Sequence, residues 1–358
     1  MNSLKLRTNR DLGQLVAALE TWLAECCPSA DASGRQLVNP RYVETGGASN
    51  ETVLVDLVSA TGSDERARGL VVRLLVPSVP IFLGVSLERQ AAVLRWVEQH
   101  TDVPVPSVLG VDMSCQLVDV PFMVMSRIDG VPMADFPSYN EAGFVHQLGV
   151  TDRRALWEDA IATMARLHRA DASSLTSEMA RQGGATDLGQ VAAYCRSLHE
   201  WVSEVVPVPE FEPYVDWLER ELPVDAPPGL SWGDARPGNM LFRANRCAAL
   251  LDWEMTSLGG PLIDLGWWLM FDAIHSTDMG LTRLPGLGDR DETIERWTAA
   301  TGLSASALPW HEALAHVQLG LTRSKVYAER AALGHPVPAD GEPRSVRRLT
   351  RRLEGLIG

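Results

Sequence analysis

Apolar residues recur every three to four positions from Leu12 to Ala24, with Leu15, Leu19 and Leu23 in register, which predicts an amphipathic helix. The pattern then changes period. Residues 51–60 (ETVLVDLVSA) and 68–76 (RGLVVRLLV) are rich in β-branched residues and separated by the turn-like TGSDERA, which predicts an antiparallel hairpin. A second helix is predicted over 86–99, where Leu87, Gln90, Leu94 and Val97 share a face, followed by the extended, proline-rich VPVPSVLGVD. VPFMVMSRI (120–128) reads as a buried strand, broken by IDG at 128–130. Beyond it, helical spacing dominates over 153–169, 187–205, 212–221, 291–302 and 309–332. A small sheet with a helix followed by a mainly helical body predicts an α+β protein of two lobes, divided at 1–127 and 128–358 and joined near 126–131.

Two segments interrupt the helical half: SWGDARPGNMLF (231–242) and LLDWEMTSLGGPLIDLGWW (250–268). Each sets acidic residues beside glycine or at the end of a short apolar run, where exposed functional groups are commonly held. Asp234 and Asn239 have the D-x-x-x-x-N spacing of a kinase catalytic loop, and Asp252 follows the apolar CAALL, where a further metal ligand belongs. Phosphoryl transfer asks a protein to position an acceptor hydroxyl and to neutralise phosphate charge. Asp234 is accordingly the candidate catalytic base, and Asn239 and Asp252 offer the hard oxygens that magnesium prefers.

The run G-D-x-x-x-x-N, then D-W-E, then P-x-x-D-L resembles the aminoglycoside phosphotransferase and choline kinase family, over roughly residues 35–335. DWEMTSLGGPLIDLGWW, PFMVMSRIDG and LPGLGDRDETIERWTAATG are most similar to its branch associated with acyl-CoA dehydrogenases. The resemblance implies a protein-kinase-like fold, ATP and Mg as cofactors, and transfer to a hydroxyl of a small molecule. It implies a structural role for Asp264, bracing the catalytic loop, and adenine contacts from the main chain of Ser126 and Ile128. TGGASNE (45–51) supplies Gly46, Gly47, Ser49 and Asn50 either as a phosphate-covering loop or as an ordinary turn.

Three positions depart from the wider kinase pattern. Arg73 stands where the second strand would carry a phosphate-binding lysine, and a forked guanidinium is not equivalent to an ammonium. The inward position of the following helix is Gln90, while Glu88 lies about 200° away around it. Trp232 replaces the histidine before Gly233. These departures leave room for a nucleotide-binding regulator with little catalysis as the alternative to a kinase.

Composition narrows the partners. A formal charge of −14 argues against nucleic acid, whose phosphates need a basic surface. Eight acidic residues between Glu200 and Asp225 face only Arg220; if they line the acceptor cleft they favour a polycation such as an aminoglycoside, and otherwise they are solvated surface. A hydroxyacyl thioester stands slightly ahead of an aminoglycoside as acceptor, on the strength of the branch. The five cysteines show no metal or disulfide spacing, and no run is apolar enough to span a membrane, so a cytoplasmic protein with reduced thiols is expected. In HEALAH, His311 and His316 are five apart, about 140° around a helix, which separates them too far to share a metal. His168 and the pair Trp267 and Trp268 read as packed core rather than as catalysts.

Overall fold

The computed structural model describes residues 10–26, 35–43, 50–59, 67–75, 82–334 and 344–357. Gly46, Gly47 and Ser49 lie outside the described residues. The N-terminal lobe is a five-stranded antiparallel sheet in the order β1-β2-β3-β5-β4, made of β1 (Arg35–Tyr42), β2 (Glu51–Ser59), β3 (Arg68–Leu74), β4 (Val108–Asp112) and β5 (Phe122–Ser126). The predicted hairpin is β2 with β3, paired from Glu51 opposite Leu74 to Leu57 opposite Arg68.

Both faces of this sheet are covered, which explains why β5 is apolar from Phe122 through Met125 without alternation. Helix α1 (Leu12–Cys26) lays Leu15, Leu19, Trp22 and Leu23 over the face carrying Val53, Val55, Val72, Leu74, Phe122 and Val124. Met123 and Met125 point the other way, toward α2 (Leu87–His100), which is N-capped by the Ser86 hydroxyl accepting from the Arg89 N–H at 3.1 Å. Because side chains alternate along a strand, sending Val72 and Leu74 to the α1 face sends Arg73 to the α2 face. Gln90 is buried and Glu88 exposed, as the helical wheel requires.

The C-terminal lobe is helical, with α3 (Phe144–Gln147), α4 (Val150–His168), α5 (Thr176–Arg181), α6 (Leu188–Ser203), α7 (Glu212–Arg220), α8 (Leu262–His275), α9 (Arg290–Thr301), α10 (Leu308–Ala332) and α11 (Arg344–Ile357). A three-stranded sheet joins β6 (Val131–Pro132), at its start, to β7 (Met240–Arg243) and β8 (Arg246–Leu250), which lie between α7 and α8 in the chain. Helix α10 is the central strut: Leu314, Val317 and Leu321 join the core with α6 and α7, while α8 and α11 pack on its other sides. The arginine-dense tail is thus α11, held by Leu349 and Leu353. Among the described residues, no helix is long and apolar enough to cross a membrane.

Candidate active site

The segment 231–242 is anchored before it reaches Asp234. Ser231 pairs antiparallel with Ser257, and Gly233 adopts φ +100°, where a Cβ would strike the Met255 carbonyl. Asp264, in the first turn of α8 and fully buried, accepts the Trp232 N–H on Oδ2 and the Gly233 N–H on Oδ1, both at 2.7 Å. His168 Nε2 lies 2.8 Å from the same Oδ2, and Trp297 Nε1 donates to His168 Nδ1 at 2.8 Å. An indole is only a donor, so Nδ1 accepts and Nε2 carries the proton toward Asp264. Asp264 is therefore the structural brace that the resemblance implied, with His168 and Trp297 as its backing.

Beyond Gly233 the chain delivers Asp234 and then turns back through a 3-10 turn, Pro237–Asn239. Asn239 Nδ2 donates to the Asp234 carbonyl at 3.1 Å and to its Oδ2 at 2.6 Å, and this leaves the Asn239 Oδ1 without a hydrogen bond among the described residues. Trp267 Nε1 donates to Asp234 Oδ1 at 2.7 Å, and Arg236 Nε reaches both carboxylate oxygens at 3.1 and 3.2 Å. Burial pushes the Asp234 carboxyl up from its usual range, and the Asp252 charge adds to this against Arg236, Trp267 and Asn239. Such a shift suits a group that must accept a proton.

Asp252 is tied to the same loop by the Leu251 N–H, which donates to the Asn239 carbonyl at 2.8 Å. It sits just past β8 at φ +57°, an unusual backbone for a non-glycine residue of the kind that clusters at functional sites. Arg73 Nη1 lies 2.9 Å from Asp252 Oδ1, so the strand cation and the predicted metal ligand meet. Among the described residues, no cluster of three His, Cys, Asp or Glu side chains could hold a metal alone. One Asp and one Asn oxygen instead fit magnesium, which keeps waters and borrows phosphate oxygens.

The remaining expectations fare unevenly. Asn50 is buried, but its Nδ2 donates to Glu254 Oε2 at 3.2 Å. The Ser126 N–H is already spent on the Ser107 carbonyl at 2.9 Å, whereas the Ile128 N–H makes no hydrogen bond among the described residues. Trp267 is core, as read from the sequence, and also touches Asp234, which was not foreseen. Trp232 uses its indole N–H on the Leu251 carbonyl at 2.6 Å, stapling the two motifs together. His311 and His316 are buried, each bonded to a carbonyl one turn back, on Ala307 and Glu312. The acidic run does not gather at Asp234: Glu212, Asp216 and Glu219 all converge on Arg196.

Sequence reading missed three participants. Glu254 lies against Arg73 Nη2 at 3.6 Å; its signal was the D-W-E spacing, since burial of Trp253 leaves the residues on either side of it near Arg73. Arg236 bridges Asp234 to Asp135, and Asp135 also faces His275 Nε2 at 3.4 Å. Burial opposes ionisation of Asp135, but the bonds from His275 and Arg236 outweigh it and bring its carboxyl down to about 2. Nothing in the sequence links Asp135 to a loop about a hundred residues later.

Structural neighbours share this arrangement of lobes. A Ralstonia eutropha JMP134 protein provisionally described as an aminoglycoside phosphotransferase superposes with a TM-score of 0.67 at 18% identity, over 95% of each chain. The aminoglycoside phosphotransferase APH(4)-Ia, in a ternary complex with AMP-PNP and hygromycin B, gives 0.54 at 14% identity over 90% of this chain and 94% of that one. Among sequence relatives, the probable acyl-CoA dehydrogenase IBR3 of Arabidopsis thaliana is 26% identical over 74% of this chain, and human acyl-CoA dehydrogenase family member 11 is 27% identical over 47%. The match spans only 33% and 21% of those two relatives, so this chain corresponds to a minor part of each. Residues 45–293 match the model of the phosphotransferase enzyme family, and the chain belongs to that family.

Proposed function

We propose that this protein is an ATP- and magnesium-dependent kinase of small molecules, acting on a hydroxyl. The observation that carries the reading is that Asn239 bonds Asp234 directly and is tied to the residue before Asp252 by the Leu251 N–H, with Arg73 reaching Asp252 from the other lobe. Asp234 orients the acceptor hydroxyl and takes its proton. Asn239 Oδ1 and Asp252 hold magnesium, which when bound would offset charge on the phosphates. Arg73 meets the phosphates, Asn50 and the segment with Gly46, Gly47 and Ser49 cover them, and the Ile128 N–H and the main chain of Ser126 meet the adenine. The division of labour puts 1–127 in the nucleotide lobe and 128–358 in the catalytic lobe.

Nucleotide complexes of the neighbours support the cofactor: two point variants of a thermostable mutant of APH(4)-Ia were crystallised, one with AMP-PNP and hygromycin B and the other with ADP and hygromycin B. The regulator reading is not favoured: Trp232 serves the loop through its indole N–H, and Asn239 is bonded to Asp234. For the acceptor, a hydroxyacyl thioester is favoured over an aminoglycoside. The acyl-CoA dehydrogenase relatives support it, and three of the eight carboxylates that would draw a polycation, Glu212, Asp216 and Glu219, are paired with Arg196.

Asp234→Asn tests the assignment. Transfer should be nearly abolished while Mg·ATP binding stays close to wild type, because the carboxylate serves the acceptor and not the nucleotide. Wild-type turnover in this variant would remove Asp234 from the chemistry.

A further inference from the structure

Arg73 is almost fully buried, and a buried guanidinium needs an anionic partner. Helix α2 offers none, since the residue that faces inward is Gln90, and both of its amide atoms are buried without a hydrogen bond among the described residues. The partners come instead from beyond β8: Asp252 at 2.9 Å from Nη1 and Glu254 at 3.6 Å from Nη2. These two carboxylates differ. The Asp252 side chain is a quarter exposed, and the Asn239 amide oxygen accepts no hydrogen bond among the described residues, so it faces the place where a metal would sit. Glu254 is 5% exposed and is fixed from a second side by Asn50, the residue before β2.

We infer that Glu254 is the positioning residue that holds Arg73 for the nucleotide phosphates, in place of an acidic residue on α2, and that Asp252 shares the guanidinium only while no metal claims its oxygens. The inference rests on the kinase reading above and extends it. A divalent cation competes with the guanidinium for Asp252, because both are counter-ions to the same carboxylate. Glu254 stays on Arg73 through that exchange, so the cation is neither stranded nor free to follow Asp252. The same carboxylate holds Asn50, the residue that leads into β2. One buried side chain of the catalytic lobe thereby aligns two groups of the nucleotide lobe.

Calorimetric titration with ADP, with and without magnesium, tests this without knowledge of the acceptor. Glu254→Gln should weaken ADP binding about thirtyfold, the low end for breaking one partner of a buried charge pair, in magnesium and in its absence alike. The loss should vanish in an Arg73→Met background, where the double variant binds as Arg73→Met alone, because residues acting through one another are not additive. Adding Gln90→Glu to Glu254→Gln should restore much of the affinity by returning a carboxylate to the guanidinium. If Glu254→Gln bound like wild type, or if its loss added in full to that of Arg73→Met and appeared only with magnesium, Glu254 would not act through Arg73 and the inference would fall. A wild-type protein that binds no nucleotide would instead sink the kinase reading itself.

Discussion

Asp264 shows how much one buried carboxylate can carry. Its two oxygens take two backbone N–H groups and one imidazole, and the backbone it holds includes Gly233 at a φ that only glycine adopts without strain. Asp264→Ala should cost about 3–5 kcal/mol, the range for breaking a buried charged network, read as a lower urea midpoint at unchanged m-value. Activity should fall further than stability explains, since Asp234 is the next residue along. At this scale the sequence was legible where chemistry imposes a spacing: Asp234, Asn239, Asp252 and Asp264 all lie in two short motifs. It was illegible where the fold joins distant residues, as with Asp135 and Arg236 or His168 and Trp297, because no local pattern encodes a long-range ion pair or hydrogen bond.

A second residue-scale prediction concerns Arg73. Truncation to Ala removes a charge-assisted contact of roughly 1.5–3 kcal/mol, so kcat/KM for ATP should drop by about one to two orders of magnitude. Lysine should rescue in part, since it keeps the charge but cannot span both Asp252 and Glu254 as a fork does. Steady-state kinetics at saturating acceptor reads this directly, and wild-type behaviour of Arg73→Ala would place the side chain outside the nucleotide site.

Among the elements, periodicity found most of the helices and the strands β2, β3 and β5, and missed β1. Helices α1, α2, α4, α6, α7, α9 and α10 lie within a few residues of their predicted spans. Strand β1 escaped notice because RQLVNPRY has no alternation: Asn39 takes φ +54°, Pro40 follows, and the pairing with β2 shifts between Val38 and Arg41. Helix α10 bears a titration that its sequence hid inside a false metal motif. Burial pushes His311 down to about 4, only partly offset by its bond to the Ala307 carbonyl, and burial lowers His316 as well. A histidine whose folded pKa is depressed contributes stability that is complete above the unfolded value near 6.5. That contribution is lost as pH falls from there toward about 4, at roughly 1.4 kcal/mol per unit per group. Thermal or urea unfolding between pH 7 and 4 should show this slope, and His311→Gln, which cannot titrate, should flatten it by about one proton. An unchanged slope would mean that His311 is not kept neutral by the fold.

For the whole molecule, the two lobes and their order were legible because β-type and helical periods occupy separate stretches of chain, while the use of the acidic run was not. Eight carboxylates in sequence say nothing about which way α7 faces, and in the fold three of them close on Arg196. The charge that an acceptor meets is then set by the net −14 of the chain more than by a dedicated acidic pocket. A coenzyme A thioester, itself anionic, should approach against that field, so added salt should leave its kcat/KM unchanged or raise it up to severalfold as screening shortens the range of repulsion. A kanamycin-like polycation should show the reverse, with kcat/KM falling steeply over the same salt series. Assays of both classes at low and near-physiological ionic strength separate the cases. The favoured acceptor is upheld if the hydroxyacyl thioester has the higher kcat/KM and does not lose it with salt. It is overturned if the aminoglycoside exceeds it and declines with salt, because only an acceptor drawn in by opposite charge would pair high efficiency with that dependence.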